Sequence, residues 1–373
     1  MKIALISPYD FNTPGGVNDH ISNLHLNLID RGIDSHIIAP LSGRNVHLPP
    51  NFIAFGNTIP FPTGGSVARI SLSTNTYFKI KTFLKNADYD ILHIHEPFAG
   101  TLTMGAMLSN TKSLKIATFH SYKGSYLYAL TPNVLLNRYF KNLNGHIAVS
   151  MPAMEYVNKH LKANYEIIPN GINLNDNEPA LPIDSFKDGK LNILFLGRMD
   201  KRKGLSYLIN AYCDLKLKYD DLRLIVAGPG AMDTDCIKII GARNPKDLII
   251  LGEVSHQEKS TIYKNADIFC APSTGQESFG IVLLEAMKAE LPIVATNIEG
   301  YKSVVQDGKE ALLCDPKSVK GLRICLEQMS NSKDLRNTLI YEGKNTVGQY
   351  SWYKITDTLL NYYQQIRCSI KNN

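Results

Sequence analysis

Two glutamates eight residues apart, in Glu277-Ser-Phe-Gly-Ile-Val-Leu-Leu-Glu285, carry the first chemical signal in the chain. The preceding Ala271-Pro-Ser-Thr-Gly-Gln276 is built from turn formers. Ile281-Val-Leu-Leu-Glu-Ala-Met-Lys-Ala289 is strong helix-forming sequence, broken by Pro292. A helix opening near Phe279 or Gly280 leaves its first amides unsatisfied, and such a terminus takes an anion. Glu277 then stands at the mouth of that site, and Glu285 lies about 7–8 Å further along the axis, at roughly 1.5 Å per residue. An anion flanked by two carboxylates that accept from hydroxyls has the outline of a nucleotide sugar: sugar, diphosphate, ribose.

Other residues ask for the same ligand. Leu196-Gly-Arg198-Met-Asp-Lys-Arg-Lys203-Gly204 ends a strand and enters a helix. Arg198 supplies a rigid fork and Lys203 a mobile point charge, which together can offset the charge on a departing diphosphate. Pro14-Gly15-Gly16-Val17 follows the first strand, where glycines let a backbone approach an anion. His120 ends the apolar run Ile116-Ala-Thr-Phe119, where α/β sheets put their ligands. His93 and His95 share a strand face beside Glu96, a metal-ligand set only if a third fixed donor converges; strand-end hydrogen bonding is the simpler reading. Thr76 to Lys85 mixes aromatics with Lys79, Lys81 and Lys85, as either a membrane-surface helix or an ordinary half-buried one would.

The elements that must position these groups alternate. Ile3–Ser7, Asp34–Ala39, Ile91–His95, Lys115–Phe119 and His146–Val149 read as strands separated by helical or looped stretches. The Pro/Asn/Asp-rich run 168–179 interrupts the rhythm. It restarts with Leu191–Leu196, Leu222–Ala227, Leu248–Leu251, Ile268–Cys270 and Pro292–Ala295, and a final helix is expected over Trp352–Ile366. The fold class expected is α/β: two doubly wound, Rossmann-like domains facing a cleft, over 1–170 and 171–349.

At 373 residues the chain has room for two cores, and 44% hydrophobic with 20% charged residues describes an ordinary globular protein. Six scattered cysteines without a C-x-x-C pair suit a cytoplasmic setting. The opening Met1–Pro8 reads as a buried strand rather than a leader, and no apolar run is long enough to span a bilayer. The first 170 residues hold 14 Lys/Arg against 9 Asp/Glu, a mild basic excess that suits an anionic membrane face. No basic stripe interleaved with aromatics points to nucleic acid, and no G-x-G-x-x-G points to a nicotinamide cofactor.

Taken together these residues resemble the family-4 retaining glycosyltransferases of the GT-B fold, over the whole length from Met1 to the final helix. The stretches that carry the likeness are 7–17, Gly65-Ser-Val-Ala-Arg69, His93-Ile-His-Glu-Pro97 and Ala117-Thr-Phe-His120. Ile168-Pro-Asn-Gly171, Leu194-Phe-Leu-Gly-Arg198 and Gln276-Glu-Ser-Phe-Gly-Ile-Val282 continue it. The resemblance implies that Gly15, Gly16, Arg198 and Lys203 hold the donor diphosphate with amides from Phe279, Gly280, Ile281 and Val282. Glu277 would hold the transferred sugar, Glu285 the ribose, and His120 would sit beside the sugar. The resemblance also implies that 350–373 returns to the first domain. No bound metal or other cofactor is implied. The nearest branch of the family mannosylates inositol lipids, which implies GDP-mannose as donor, a lipid head group as acceptor and peripheral contact with the cytoplasmic membrane face. Tyr9, Arg69 and Lys123 fall where that branch contacts its acceptor. The chain departs from the pattern at Asn12, where the branch has an acidic residue, and at Phe98, where it has Asn. A UDP-sugar donor with a polyprenyl-linked or polysaccharide acceptor, a UDP-sugar 2-epimerase and a non-catalytic sugar-nucleotide-binding subunit are the competing readings.

Overall fold

The computed structural model describes residues 1–43, 48–63, 66–122, 133–175, 183 and 186–371. The chain divides into two compact units, Met1–Gly171 with Trp352–Asn373, and Ile172–Ser351.

In the first unit seven parallel strands run in the order Phe52–Ala54, Asp34–Ala39, Lys2–Ile6, Ile91–His95, Leu114–Phe119, Gly145–Ala148, Glu166–Ile167. The central strands are apolar almost throughout because helices cover both faces, so inward and outward side chains are equally dry. One face packs under the helix Gly16–Asp30 through Ile21, Leu24 and Leu28, and under the terminal helix Trp352–Lys371 through Trp352, Ile355, Leu359 and Tyr363. The helices Thr74–Asn86 and Thr101–Met107 close the other face. An antiparallel hairpin, Ile59–Thr63 with Ser66–Ile70, sits outside the sheet.

The second unit repeats the plan with six parallel strands, in the order Leu248–Gly252, Leu222–Ala227, Leu191–Leu196, Ile268–Ala271, Ile293–Thr296, Ala311–Cys314. In both sheets the chain winds outward one way and then reverses. The reversal falls between Lys2–Ile6 and Ile91–His95 in the first, and between Leu191–Leu196 and Ile268–Ala271 in the second. A sheet wound this way opens a crevice at the carboxyl ends of the reversing pair. Those ends lead into 7–17 and Glu96-Pro-Phe in one unit, and into Gly197–Gly204 and Pro272–Gly280 in the other. The connectivity therefore delivers the motifs read from the sequence to two crevices.

Sheets and helices agree with the α/β expectation, with strand bounds shifted by a residue or so. The short strands Phe52–Ala54, Glu166–Ile167 and Ala311–Cys314 and the hairpin were not expected. They are brief or carry prolines, and they gain their place from a neighbouring strand or from the chain folding back on itself.

Candidate active site

In the second unit the helix Ile281–Lys288 opens at Gly280, a cap residue with no side chain of its own to offer the first amides. Gly280 has φ +95°, and a Cβ there would meet the Tyr301 ring at 2.7 Å, so the entry to the helix requires glycine. Tyr301 is fixed in turn by Ser273 (Oγ to Oη, 2.8 Å), whose carbonyl accepts from Thr296 Oγ1 at 2.6 Å. Gly300 lets the backbone close on the Glu277 carbonyl, which a Cβ would meet at 2.1 Å. Gln276 holds a left-handed φ of +61°. Strain of this kind persists where the surroundings hold a loop in one shape.

That shape brings Glu277 onto two cations. Its Oε1 lies 2.7 Å from Lys203 Nζ and 3.1 Å from Arg202 Nη1, and the same Arg202 nitrogen donates to the Gln276 carbonyl at 2.7 Å. Lys203 and Glu277 are both more than four-fifths buried as side chains, so their charges act on each other, and on any anion beside them, with little screening. Arg198 joins through Asp200: its Nη2 is 3.5 Å from Oδ2, which Arg202 also approaches at 3.6 Å. Asp200 Oδ1 accepts from the Lys203 amide and so caps the 3-10 turn that carries the basic run. Glu285 accepts from Lys259 through Oε1 and from the Tyr263 hydroxyl through Oε2 at 3.0 Å. Both partners lie on the helix His256–Lys264, which a Ser255/Glu258 capping box starts.

In the first unit Gly15 and Gly16 open the helix Gly16–Asp30, again without a side-chain cap. Among the described residues a Cβ at either would meet nothing within 4 Å, so packing by those residues does not demand glycine there. Asn18 locks the approach, donating to the carbonyls of Asp10 (2.9 Å) and Thr13 (3.2 Å) and accepting from Ser7 Oγ (2.9 Å).

His120 closes its strand at 9% exposure, inside a cluster of histidines. Its Nε2 is 3.0 Å from His95 Nδ1, and its amide donates to Glu96 Oε1 at 2.6 Å. His20 packs edge-on to His120 and His95, with ring centroids at 5.0 and 5.4 Å, and its Nδ1 is 2.9 Å from Asn170 Oδ1. Burial lowers all of these histidines: His20 to about 4, His93 to about 3, and His95 and His120 well below the usual imidazole range, both with further help from His20 and His93. They are neutral at physiological pH. One ring nitrogen each from His20, His95 and His120 lie within 4.8 Å of one another, the set among the described residues that could hold a metal ion. Glu96, which the sequence placed beside His93 and His95 as a candidate ligand, is spent instead on the amides of His120 and Ser121.

Tyr9 pairs by a β-bridge with Ile70, next to Arg69. Arg69 Nε is 3.2 Å from Asp10 Oδ2, and Asp10 is fully buried. Burial alone would raise the Asp10 carboxyl, but hydrogen bonds from Ser42, Thr58 and Asn12 outweigh it and hold the acid below its usual value. Asn12 thus serves the loop through its amide, and Phe98 is 2% exposed in the core. Lys123 lies outside the described residues.

Lys203 and Glu277 meet directly, Arg198 meets them through Asp200, and Glu285 stands apart with its own cation. Sequence reasoning missed Arg202, Asp200, Lys259, Tyr263, Asp10 and His20. The run Lys201-Arg202-Lys203 was visible, but not that Lys201 would pair outward with Asp235 while Arg202 turned in. An Asp three residues before Lys203 is a capping signal and could have singled out Asp200.

Residues 14–176 match the family described as Glycosyltransferase Family 4, and residues 177–346 the family described as Glycosyl transferases group 1. The chain belongs to this glycosyltransferase family and is a hexosyltransferase. It is 32% identical to a phosphatidyl-myo-inositol mannosyltransferase of Mycobacterium tuberculosis, over 98% of this chain and 97% of that one. It is 27% identical to the GPI3 subunit of a phosphatidylinositol N-acetylglucosaminyltransferase of Saccharomyces cerevisiae, over 98% and 83%. Among solved structures, sucrose-phosphate synthase of Thermosynechococcus elongatus shares the fold with a TM-score of 0.75 at 19% identity, covering 99% of both chains. The two-domain GT-B architecture is thereby established.

Proposed function

We propose that this enzyme moves mannose from GDP-mannose to the inositol head group of phosphatidylinositol, with retention of configuration and without a bound metal. The observation that carries the donor half is the Lys203–Glu277–Arg202 cluster beside a helix N-terminus whose cap residue is a glycine. Amides and cations together suit a diphosphate, and a carboxylate at its edge suits sugar hydroxyls. Arg198, Lys203 and the amides of Phe279, Gly280, Ile281 and Val282 take the diphosphate, with the Gly15 and Gly16 amides as further donors. Glu277 orients the sugar, Glu285 accepts from the ribose, and His120 stands beside the sugar.

In the transfer, the acceptor oxygen bonds to the sugar's anomeric carbon as the bond from that carbon to the phosphate oxygen breaks. The acceptor's proton passes to the departing phosphate, and the cations neutralise the charge that builds there. The inositol lipid as acceptor rests on likeness along the full chain to enzymes named for it, with Tyr9, Arg69 and Lys123 as its contacts. No helix among the described residues is long and apolar enough to cross a membrane, so access to a lipid calls for a surface. The helix Thr74–Asn86 offers exposed Phe78 beside Lys79, with Ile80 and Leu84 buried behind.

Radiolabelled GDP-mannose with phosphatidylinositol vesicles should yield a labelled lipid whose anomeric coupling is that of the donor, undiminished by EDTA. The yeast relative's name favours a second reading, transfer of N-acetylglucosamine to the same lipid. Label entering lipid from UDP-N-acetylglucosamine and not from GDP-mannose would replace the first reading with the second.

A further inference from the structure

The end of the strand Leu114–Phe119 is held more tightly than a turn requires. Glu96 Oε1 accepts from the amides of His120 and Ser121, at 2.6 and 2.7 Å, which pins the His120 main chain. The His120 ring is pinned separately by His95, stacked on it with centroids 5.3 Å apart and bonded Nδ1 to Nε2. His95 itself stacks at 4.3 Å on His93, whose two nitrogens are taken by the Tyr363 hydroxyl and Thr118 Oγ1, each at 2.6 Å.

A neutral imidazole has one N–H and one lone pair, so the direction of the His95–His120 bond fixes both tautomers. If His120 Nε2–H were the donor, His95 would carry its own proton on Nε2. That atom is buried and has no partner among the described residues. Orphaned buried N–H groups are rare in folded proteins, whereas an unused acceptor is better tolerated. If His95 Nδ1–H is the donor, only a lone pair is left unused, and the His120 proton must sit on Nδ1.

We propose that His95 is a positioning residue: it donates Nδ1–H to His120 Nε2 and so holds His120 in the tautomer protonated on Nδ1, a hydrogen-bond donor to the sugar and not a base. The sugar side of this statement rests on the placing of His120 beside the transferred sugar. The one lone pair of His120 is already taken by the bond from His95, so it cannot accept the acceptor's proton, which is left to the departing phosphate. Burial of the whole cluster agrees, since it disfavours any imidazolium there.

The test has a spectroscopic and a kinetic arm. In the full chain labelled with ¹⁵N-histidine, without donor and near neutral pH, long-range ¹H–¹⁵N correlations should show His120 protonated on Nδ1, its signals assigned by their loss in His120→Asn. A His120 protonated on Nε2, or an even mixture, overturns the proposal. In turnover, His95→Leu should lower kcat about tenfold to a hundredfold, the scale of leaving one buried polar atom without its partner, with donor KM moving less than about threefold. His95→Asn, whose amide nitrogen can stand in for Nδ1, should recover most of that loss. Full kcat in His95→Leu, or an Asn variant that folds but recovers nothing, also overturns it. The spectroscopic arm needs neither turnover nor a variant at position 95. It decides the tautomer even if no sugar is transferred, a result that would count against the proposed function alone, or if His95→Leu does not fold.

Discussion

Acid should unfold the first unit while the second stays folded, and the buried histidines set the pH at which it happens. Nine of the ten histidines lie in the first unit. An unfolded imidazole titrates near 6.5, whereas burial, against a raising hydrogen bond from Asn170, holds His20 down to about 4. Burial and the neighbouring His20 hold His93 down to about 3. Between these values the unfolded chain binds protons that the folded chain refuses. The stabilisation is therefore complete above pH ~6.5 and is lost as the pH falls toward the folded values. At about 1.4 kcal/mol per pH unit, His20 and His93 each forfeit about 3 kcal/mol by pH 4. Their sum, on the order of 6 kcal/mol, is comparable to the roughly 5–15 kcal/mol that holds a domain together. His95, His120 and His146 push the same way, each lowered chiefly by burial. Glu96 opposes them: burial raises its carboxyl, so the folded form takes a proton more readily and regains some stability as the pH falls. One carboxyl does not offset five imidazoles. The chain's single tryptophan, Trp352, is buried in the first unit with its ring 5.0 Å from that of His20, so its fluorescence reports on this unit. Emission should shift to the red between pH 6.5 and 4. Hydrogen exchange by mass spectrometry should show protection lost in 91–95 and 114–119 while 191–196 and 222–227 keep theirs. Native emission at pH 4, or equal loss of protection in both sheets, would refute the reasoning.

Four substitutions probe the rest. Lys203→Ala removes a mostly buried cation from the Glu277 cluster, and calorimetry should find donor affinity lower by about tenfold to a hundredfold, the range for a charged hydrogen bond, with a lower melting temperature as well because Glu277 keeps only Arg202. Gly280→Ala forces a side chain into a left-handed backbone and onto the Tyr301 ring; a loss of about 1–3 kcal/mol and a lower melting temperature are expected, with weaker donor binding because the helix start must move. Tyr263→Phe leaves Glu285 its lysine but not its hydroxyl donor, so donor affinity should fall by no more than about tenfold, measured in the same titration. Asp10→Asn weakens the acceptor that holds Ser42, Thr58 and Arg69 together, and should raise the acceptor KM while the donor KM is unchanged.

What the sequence disclosed and what it hid divide along a physical line. Strands such as Lys2–Ile6 and Leu222–Ala227 were legible because burial on both faces requires unbroken apolar runs, and a run is a local property. The Gly280 helix start was legible for a similar reason, since a turn former followed by strong helix formers specifies a terminus within a few residues. Partnership is not local. Glu277 meets Lys203 from 74 positions away, and Glu285 meets Lys259 across 26, because the winding of one sheet brings separate loops to one edge. The histidine cluster is the sharpest case. His93 and His95 advertised themselves as a pair, but His20 and His120 arrive on a different helix and a different strand, and Glu96, the obvious third ligand by spacing, is spent on backbone amides. Spacing can therefore tell which residues share an element, whereas the role of each depends on which hydrogen bonds its neighbours have already taken. His120 shows this most directly, since its proposed character as donor rather than base follows from a nitrogen of His95 that has no partner among the described residues.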